Sequence, residues 1–148
     1  MSSCRIRAEA RSSASPAVVF GLLTDVESWS RWGSWERTGL ESEAPDGGGG
    51  VGAVRRLESV ALGRRIVSRE RVEEVVPDER LVYALLSGLP LRDYRGVVEL
   101  TPDDGGTRIT WSSSFDPQVW GTGWLYRAIL QRFVADTATA LARAAEVG

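Results

Sequence analysis

The chain has 148 residues, a formal net charge of −2 and 43% hydrophobic residues, which fits one globular domain over residues 1–148 with room for a core that needs no disulfide staples. That charge balance excludes the concentrated basic surface of a nucleic-acid partner, and no apolar run approaches the roughly 18–20 residues of a membrane span. Histidine and lysine are absent and Cys4 is the single cysteine, which excludes an imidazole base, a Ser-His triad, a His-ligated metal, a Schiff base and an internal disulfide. Acid–base groups must therefore be Asp, Glu, Tyr, Arg or water, and neither a metal nor a cofactor is expected.

Residues 4–12 alternate and predict a strand. Ser15-Pro16 opens a helix, with Ser as N-cap and Pro at the first helical position, and Ala17 to Leu23 is apolar on one side. Asp25-Val26-Glu27 starts a second short helix or turn, where the spacing of Trp29 and Trp32 puts both indoles on one face; Trp35 falls at or beyond its end. Residues 36–43 predict a weak strand. The run Gly47 to Gly50 is followed by VRRLESV, which has strand character. A dinucleotide-binding glycine loop must open a helix, so this segment is expected to be a hairpin turn.

Strands are then predicted at 51–60, 64–76, 79–87, 93–101 and 106–115. They are separated by Leu62-Gly63, Pro77-Asp78, Ser87 to Pro90 and Pro102 to Gly106. Short turns between successive strands imply an antiparallel meander rather than βαβ units. The last segment, from about Gln118 to Glu146, is the longest helix; its apolar positions include Trp124, Leu130, Phe133, Val134, Leu141 and Ala145. One long helix has to cover one apolar sheet face, and a volume should remain between them.

Strand parity assigns Ile109, Trp111 and Phe115 to one face and Arg108, Thr110 and Ser112 to the other; Tyr94, Val98 and Leu100 oppose Arg95 and Glu99. Tyr83, Tyr94, Trp111 and Phe115 are expected to face the helix. Trp32, Trp35, Trp124 and Phe133 are the expected aromatics on the covering elements, and Trp29 is expected in the core. Each indole can bury about 150–250 Å², so these rings either close a core or line a place where something apolar binds. In strand 64–76, Arg69 and Arg71 share one parity and Ser68 and Glu70 the other. That strand is either a solvated outer face of cross-strand ion pairs, or it turns Arg69 or Glu70 inward, where a buried charge would need a partner. Asp93 and Arg95 are expected to form a surface pair, and Asp103 and Asp104 to form a turn.

The segment SASPAVVFGLLTDVESWSRWGSW resembles the opening signature of the START/Bet v 1-like (SRPBCC) superfamily, in its polyketide cyclase/dehydrase-like branch. VGAVRRLES, PDERLVYALLSG, YRGVVELTP, GGTRITWSSSF and the C-terminal helix follow in the family's order, over nearly the whole chain. The resemblance implies an α+β helix-grip fold: a curved antiparallel sheet of about 6–7 strands around the long C-terminal helix, with two short helices after the first strand and an internal cavity for apolar ligands. The expected ligand-lining residues are Trp32, Trp35, Tyr83, Tyr94, Trp111, Phe115, Trp124 and Phe133. The expected function is binding of a small hydrophobic or aromatic molecule of lipid or polyketide type. One alternative is a metal-free polyketide cyclase, aromatase or dehydrase using Tyr83, Tyr94 or Arg69. Another is an interaction domain that modulates a partner protein. No integral membrane association is expected, the protein should be a monomer or homodimer, and the lack of an apolar segment in the N-terminal residues makes the cytoplasm the expected compartment.

Overall fold

A computed structural model of the protein describes residues 4–61 and 63–147. Leu62, in the predicted break at Leu62-Gly63, lies outside the described residues. The strands are β1 (Cys4–Ser12), β2 (Arg37–Ser42), β3 (Val54–Ala61), β4 (Arg64–Val76), β5 (Arg80–Ser87), β6 (Leu91–Asp103) and β7 (Gly106–Pro117). The helices are α1 (Pro16–Thr24), α2 (Trp29–Trp32), which follows a 3-10 turn at Val26–Ser28, and α3 (Gly123–Val147). All seven strands form one antiparallel sheet in the order β1-β7-β6-β5-β4-β3-β2. β3 to β7 are the predicted meander, and β2, the predicted weak strand at 36–43, extends it beyond β3. β1 adds to its β7 edge, so α1, the 3-10 turn and α2 carry the chain from one edge of the sheet to the other.

Local chemistry sets these boundaries. Ser15 caps α1 by accepting from the Val18 N–H, with Pro16 at the first helical position. Asp104 and Gly105 turn the β6–β7 hairpin with positive φ (48° and 79°). The glycine loop carries positive φ at Gly47 and Gly48 and leads into β3, not into a helix. Register shifts in β4 against β5, and between Arg92 and Arg95 against β7, mark bulges, which bend strands and increase their twist. Asp93 sits in the second bulge with φ of 53°. The predicted Asp93–Arg95 pair is absent among the described ion pairs, because the bulge breaks the alternation that would put both residues on one face.

The sheet curves around α3. The predicted helix start at Gln118 moves to Gly123, after a turn at Gly121 with φ of 83°. α3 buries Leu130, Val134, Thr137, Ala138, Leu141, Ala142 and Ala145, a stripe at helical spacing. Its alanine-rich C-terminal half lies close to the sheet edge, where the Ser12 hydroxyl donates to the Ala142 carbonyl at 2.8 Å. The side chain of Gln131 receives the Arg7 N–H and donates to the Arg7 carbonyl. α3 thereby covers part of the free edge of β1, which would otherwise be open to strand addition. Ile129, Phe133, Val134 and Thr137, in the middle of α3, face a space that the curved sheet leaves unfilled.

Candidate functional site

Between the middle of α3, from Ile129 to Thr137, and the curved sheet lies a cavity of about 350 Å³. Trp29, Trp35, Tyr83, Tyr94, Trp111 and Phe133 supply its aromatic wall. Leu57, Ile66, Leu85, Leu89, Ile129 and Val134 add aliphatic surface, and Ser34, Ser59, Ser68, Glu70 and Thr137 are the polar members. The half-exposed Val60 and Ile129 also border it.

The rings form a connected system. Trp29 is 1% exposed, and its indole N–H donates to the Leu22 and Leu23 carbonyls at 3.1 and 3.2 Å, tying the 3-10/α2 segment to the end of α1. Its ring lies 5.2 Å from Trp35 and 6.1 Å from Trp111 between centroids, and Trp35 meets Phe133 edge-on at 5.6 Å. These separations fall in the favourable range for aromatic pairs. The Tyr83 ring lies across Gly96, its cross-strand neighbour on β6. The Tyr83 hydroxyl accepts from the Trp111 indole N–H at 2.9 Å, and the Tyr94 hydroxyl bonds the Ser113 hydroxyl at 2.9 Å.

A charged pair closes the cavity on its β3–β4 side. Arg55 and Glu70 are direct register partners on the inner face. The Arg55 Nη2 donates to the Glu70 Oε1 at 2.6 Å, with the two residues 2% and 8% exposed. The Arg55 guanidinium also lies 4.5 Å from the Trp29 ring centroid and 5.1 Å from that of Tyr83, within cation–π range. Burial pushes the Glu70 carboxyl above its ordinary value, and the opposing pull of Arg55 does not cancel this. Burial likewise raises Tyr83 well above the usual phenol range and Tyr94 to about 12. Both hydroxyls stay protonated at neutral pH, as donors rather than bases.

Of the eight predicted lining residues, Trp35, Tyr83, Tyr94, Trp111 and Phe133 stand on the wall. Trp32, Phe115 and Trp124 do not. Trp32 backs Trp29 and Trp35, with its indole N–H donating to the Ser28 hydroxyl at 3.3 Å. Phe115 is buried behind Tyr94, stacked at 5.9 Å. Trp124 is 72% exposed; six residues at about 100° each turn it well away from the stripe that begins at Leu130. Arg69 is on the outer face, clasped there by Glu41. Of the four residues whose face was in question, Ser68 and Glu70 point inward. Trp29, assigned to the core by sequence, is both buried and on the wall. Arg55 escaped the sequence reading, although Leu57 two positions on carried the parity that would have placed it inward.

The family model for polyketide cyclase/dehydrase and lipid transport matches residues 3–146. The chain belongs to this family. The Zhui aromatase/cyclase from Streptomyces sp. R1128 has the same fold, with a TM-score of 0.83 at 16% identity over 98% of this chain and 94% of that one. A START superfamily protein from Mycobacterium smegmatis gives 0.82 at 14% identity, covering 97% of both chains. Ara h 8.0201 gives 0.76 at 15% identity, covering 99% of this chain and 100% of that one. Curated proteins give no match. Among the described residues, no helix is long and apolar enough to cross a membrane.

Proposed function

We propose that the protein binds a small hydrophobic or aromatic molecule, of lipid or polyketide type, in the cavity between the sheet and α3. The observation that carries this is the cavity itself, about 350 Å³ walled by six aromatic side chains, within the size range of small-molecule sites. At roughly 24 cal/mol per Å³, a dry void of that volume would cost about 8 kcal/mol, which rivals a domain's total stability of about 5–15 kcal/mol. Water can enter past the half-exposed Val60 and Ile129, but it pairs poorly with an aromatic and aliphatic wall, so an apolar occupant that displaces it is favoured. Trp35, Tyr83, Tyr94, Trp111 and Phe133 would contact its apolar body, and the Tyr hydroxyls and Glu70 would orient a polar end. The family's description, which includes lipid transport, supports the same ligand class. Native mass spectrometry before and after organic extraction tests it: a co-purifying apolar molecule, or uptake of one from a hydrophobic library, is expected. Neither bound molecule nor uptake would refute it.

Glu70 favours a second reading, a cyclase or dehydrase. A carboxyl with a raised pKa on an apolar wall can take a proton from carbon next to a ligand carbonyl, and a neutral Tyr83 can donate to the carbonyl oxygen. The cavity would hold the chain folded with its reacting carbons close. In that case Glu70→Gln and Tyr83→Phe each abolish turnover of a poly-β-ketone substrate but keep its binding. Unchanged product formation by both variants would exclude it.

A further inference from the structure

The outer face of the sheet carries a second concavity with the opposite chemistry. A cleft of about 580 Å³ is lined by Arg5 and Arg7 of β1, Arg95 of β6, Ser112 and Ser114 of β7, and Arg127 of α3. The register explains the convergence. Ser114 is paired with Arg5 on one side and with Arg95 on the other. At about 4.8 Å per strand the two arginine backbones stand about 10 Å apart with a serine between them, close enough for both guanidinium groups to meet above its hydroxyl. Alternation sends Ser112 and Ser114 outward, while Ser113 turns inward to Tyr94. Arg127 is held at the rim by its Nε, which donates to the Arg5 carbonyl at 3.2 Å, leaving the two terminal nitrogens of its fork for the cleft.

Nearby arginines on the same face already have acids. Arg7 pairs with Glu9, Arg11 and Arg108 with Asp103, and Arg80 with Glu74 and Glu99. Arg5, Arg95 and Arg127 have no carboxylate within ion-pair distance among the described residues, and no acidic residue lines the cleft. Three like charges around one hollow repel unless an anion sits among them, and the guanidinium fork matches phosphate and carboxylate oxygens. A charge of about +3 is better matched by a diphosphate than by one carboxylate, and the volume leaves room for an ester group beyond it.

We propose that this cleft is a second binding site, separate from the apolar cavity, for the diphosphate group of a small molecule, held by Arg5, Arg95 and Arg127 over the Ser112 and Ser114 hydroxyls. Calorimetric titration of the full chain with pyrophosphate, ADP and inorganic phosphate tests it. The expected result is one-to-one binding of pyrophosphate and of ADP that weakens with salt, with inorganic phosphate weaker. Arg5→Ala and Arg95→Ala should each raise the pyrophosphate Kd about tenfold, the worth of one charge-assisted hydrogen bond, with melting temperatures unchanged. Arg132→Ala, an exposed arginine of α3 outside the cleft, should leave the Kd alone. No pyrophosphate binding, equal affinity for inorganic phosphate, or equal losses in Arg132→Ala and Arg95→Ala would overturn the proposal.

Discussion

Removing one member of a buried ion pair strands the other charge, so Arg55→Leu should destabilise the protein by about 3–5 kcal/mol. Replacing both Arg55 and Glu70 with leucine should restore most of that loss, because the desolvation cost of both charges disappears with the pair. Urea unfolding of Arg55→Leu, Glu70→Leu and the double variant checks this; a double variant as unstable as the sum of the singles would show that the pair is not the coupled unit its geometry implies. Glu70 also gives a pH signature. Burial raises its folded-state pKa above the ordinary 4.5, so just above that pH the native state keeps a proton that the unfolded chain has lost. Its contribution to stability therefore falls as pH rises from about 4.5 through the raised value, and is constant on either side. Glu41 and Glu58, held low by hydrogen bonds from Arg69 and Arg65, contribute with the opposite sign. The difference between wild type and Glu70→Gln isolates the Glu70 part. The wild-type unfolding midpoint should lose ground to that of the variant across this window, and parallel curves would contradict the assignment.

At the scale of the elements, the position of the Tyr83 ring depends on a glycine in the neighbouring strand. A Cβ at Gly96 would overlap that ring, so Gly96→Ala should cost about 1–3 kcal/mol, typical of overpacking, and should break the Trp111–Tyr83 hydrogen bond. Denaturation gives the first and a changed near-ultraviolet dichroism the second; an unperturbed variant would mean that the ring is not seated there. The strands were legible in the sequence because alternation and turn residues agreed, and β1 and β4 fall on their predicted bounds. Less legible was the face that each charge takes. Arg55 opposes Glu70 inside while Arg56 opposes Arg69 outside, and a one-residue shift exchanges the two sets. A pair of adjacent arginines gives no hint of which one goes in until a neighbour such as Leu57 fixes the parity. Trp124 differs for another reason: it is apolar and near the helix start, but a rotation of about 120° from Leu130 about the helix axis turns it to solvent.

At the scale of the whole molecule, the fold sets its one long helix against the sheet, with its alanines buried at the C-terminal end and Arg127 and Gln131 bonded to the β1 backbone towards the other. The predicted volume lies between the sheet and the stretch of that helix from Ile129 to Thr137, and its aromatic lining was legible for the residues whose strand parity was clear. The polar floor was not, because it is built from two charged residues that meet only once β3 and β4 are in register. A ligand that binds only the native state stabilises it by about 2.7 kcal/mol at a hundred times its Kd, which for a protein of this size is a rise of roughly 5–10 °C in Tm.

The most direct test of the ligand cavity is titration with N-phenyl-1-naphthylamine, a neutral apolar fluorophore, of the wild type and of Ser68→Trp, which places an indole in the cavity from β4. Thr137→Phe, which fills the space from α3, serves as an independent second block. Saturable one-to-one uptake with a raised Tm in the wild type, lost in both filled variants while they keep the native circular dichroism, is the predicted result. No uptake by the wild type, or undiminished uptake by natively folded filled variants, would contradict it.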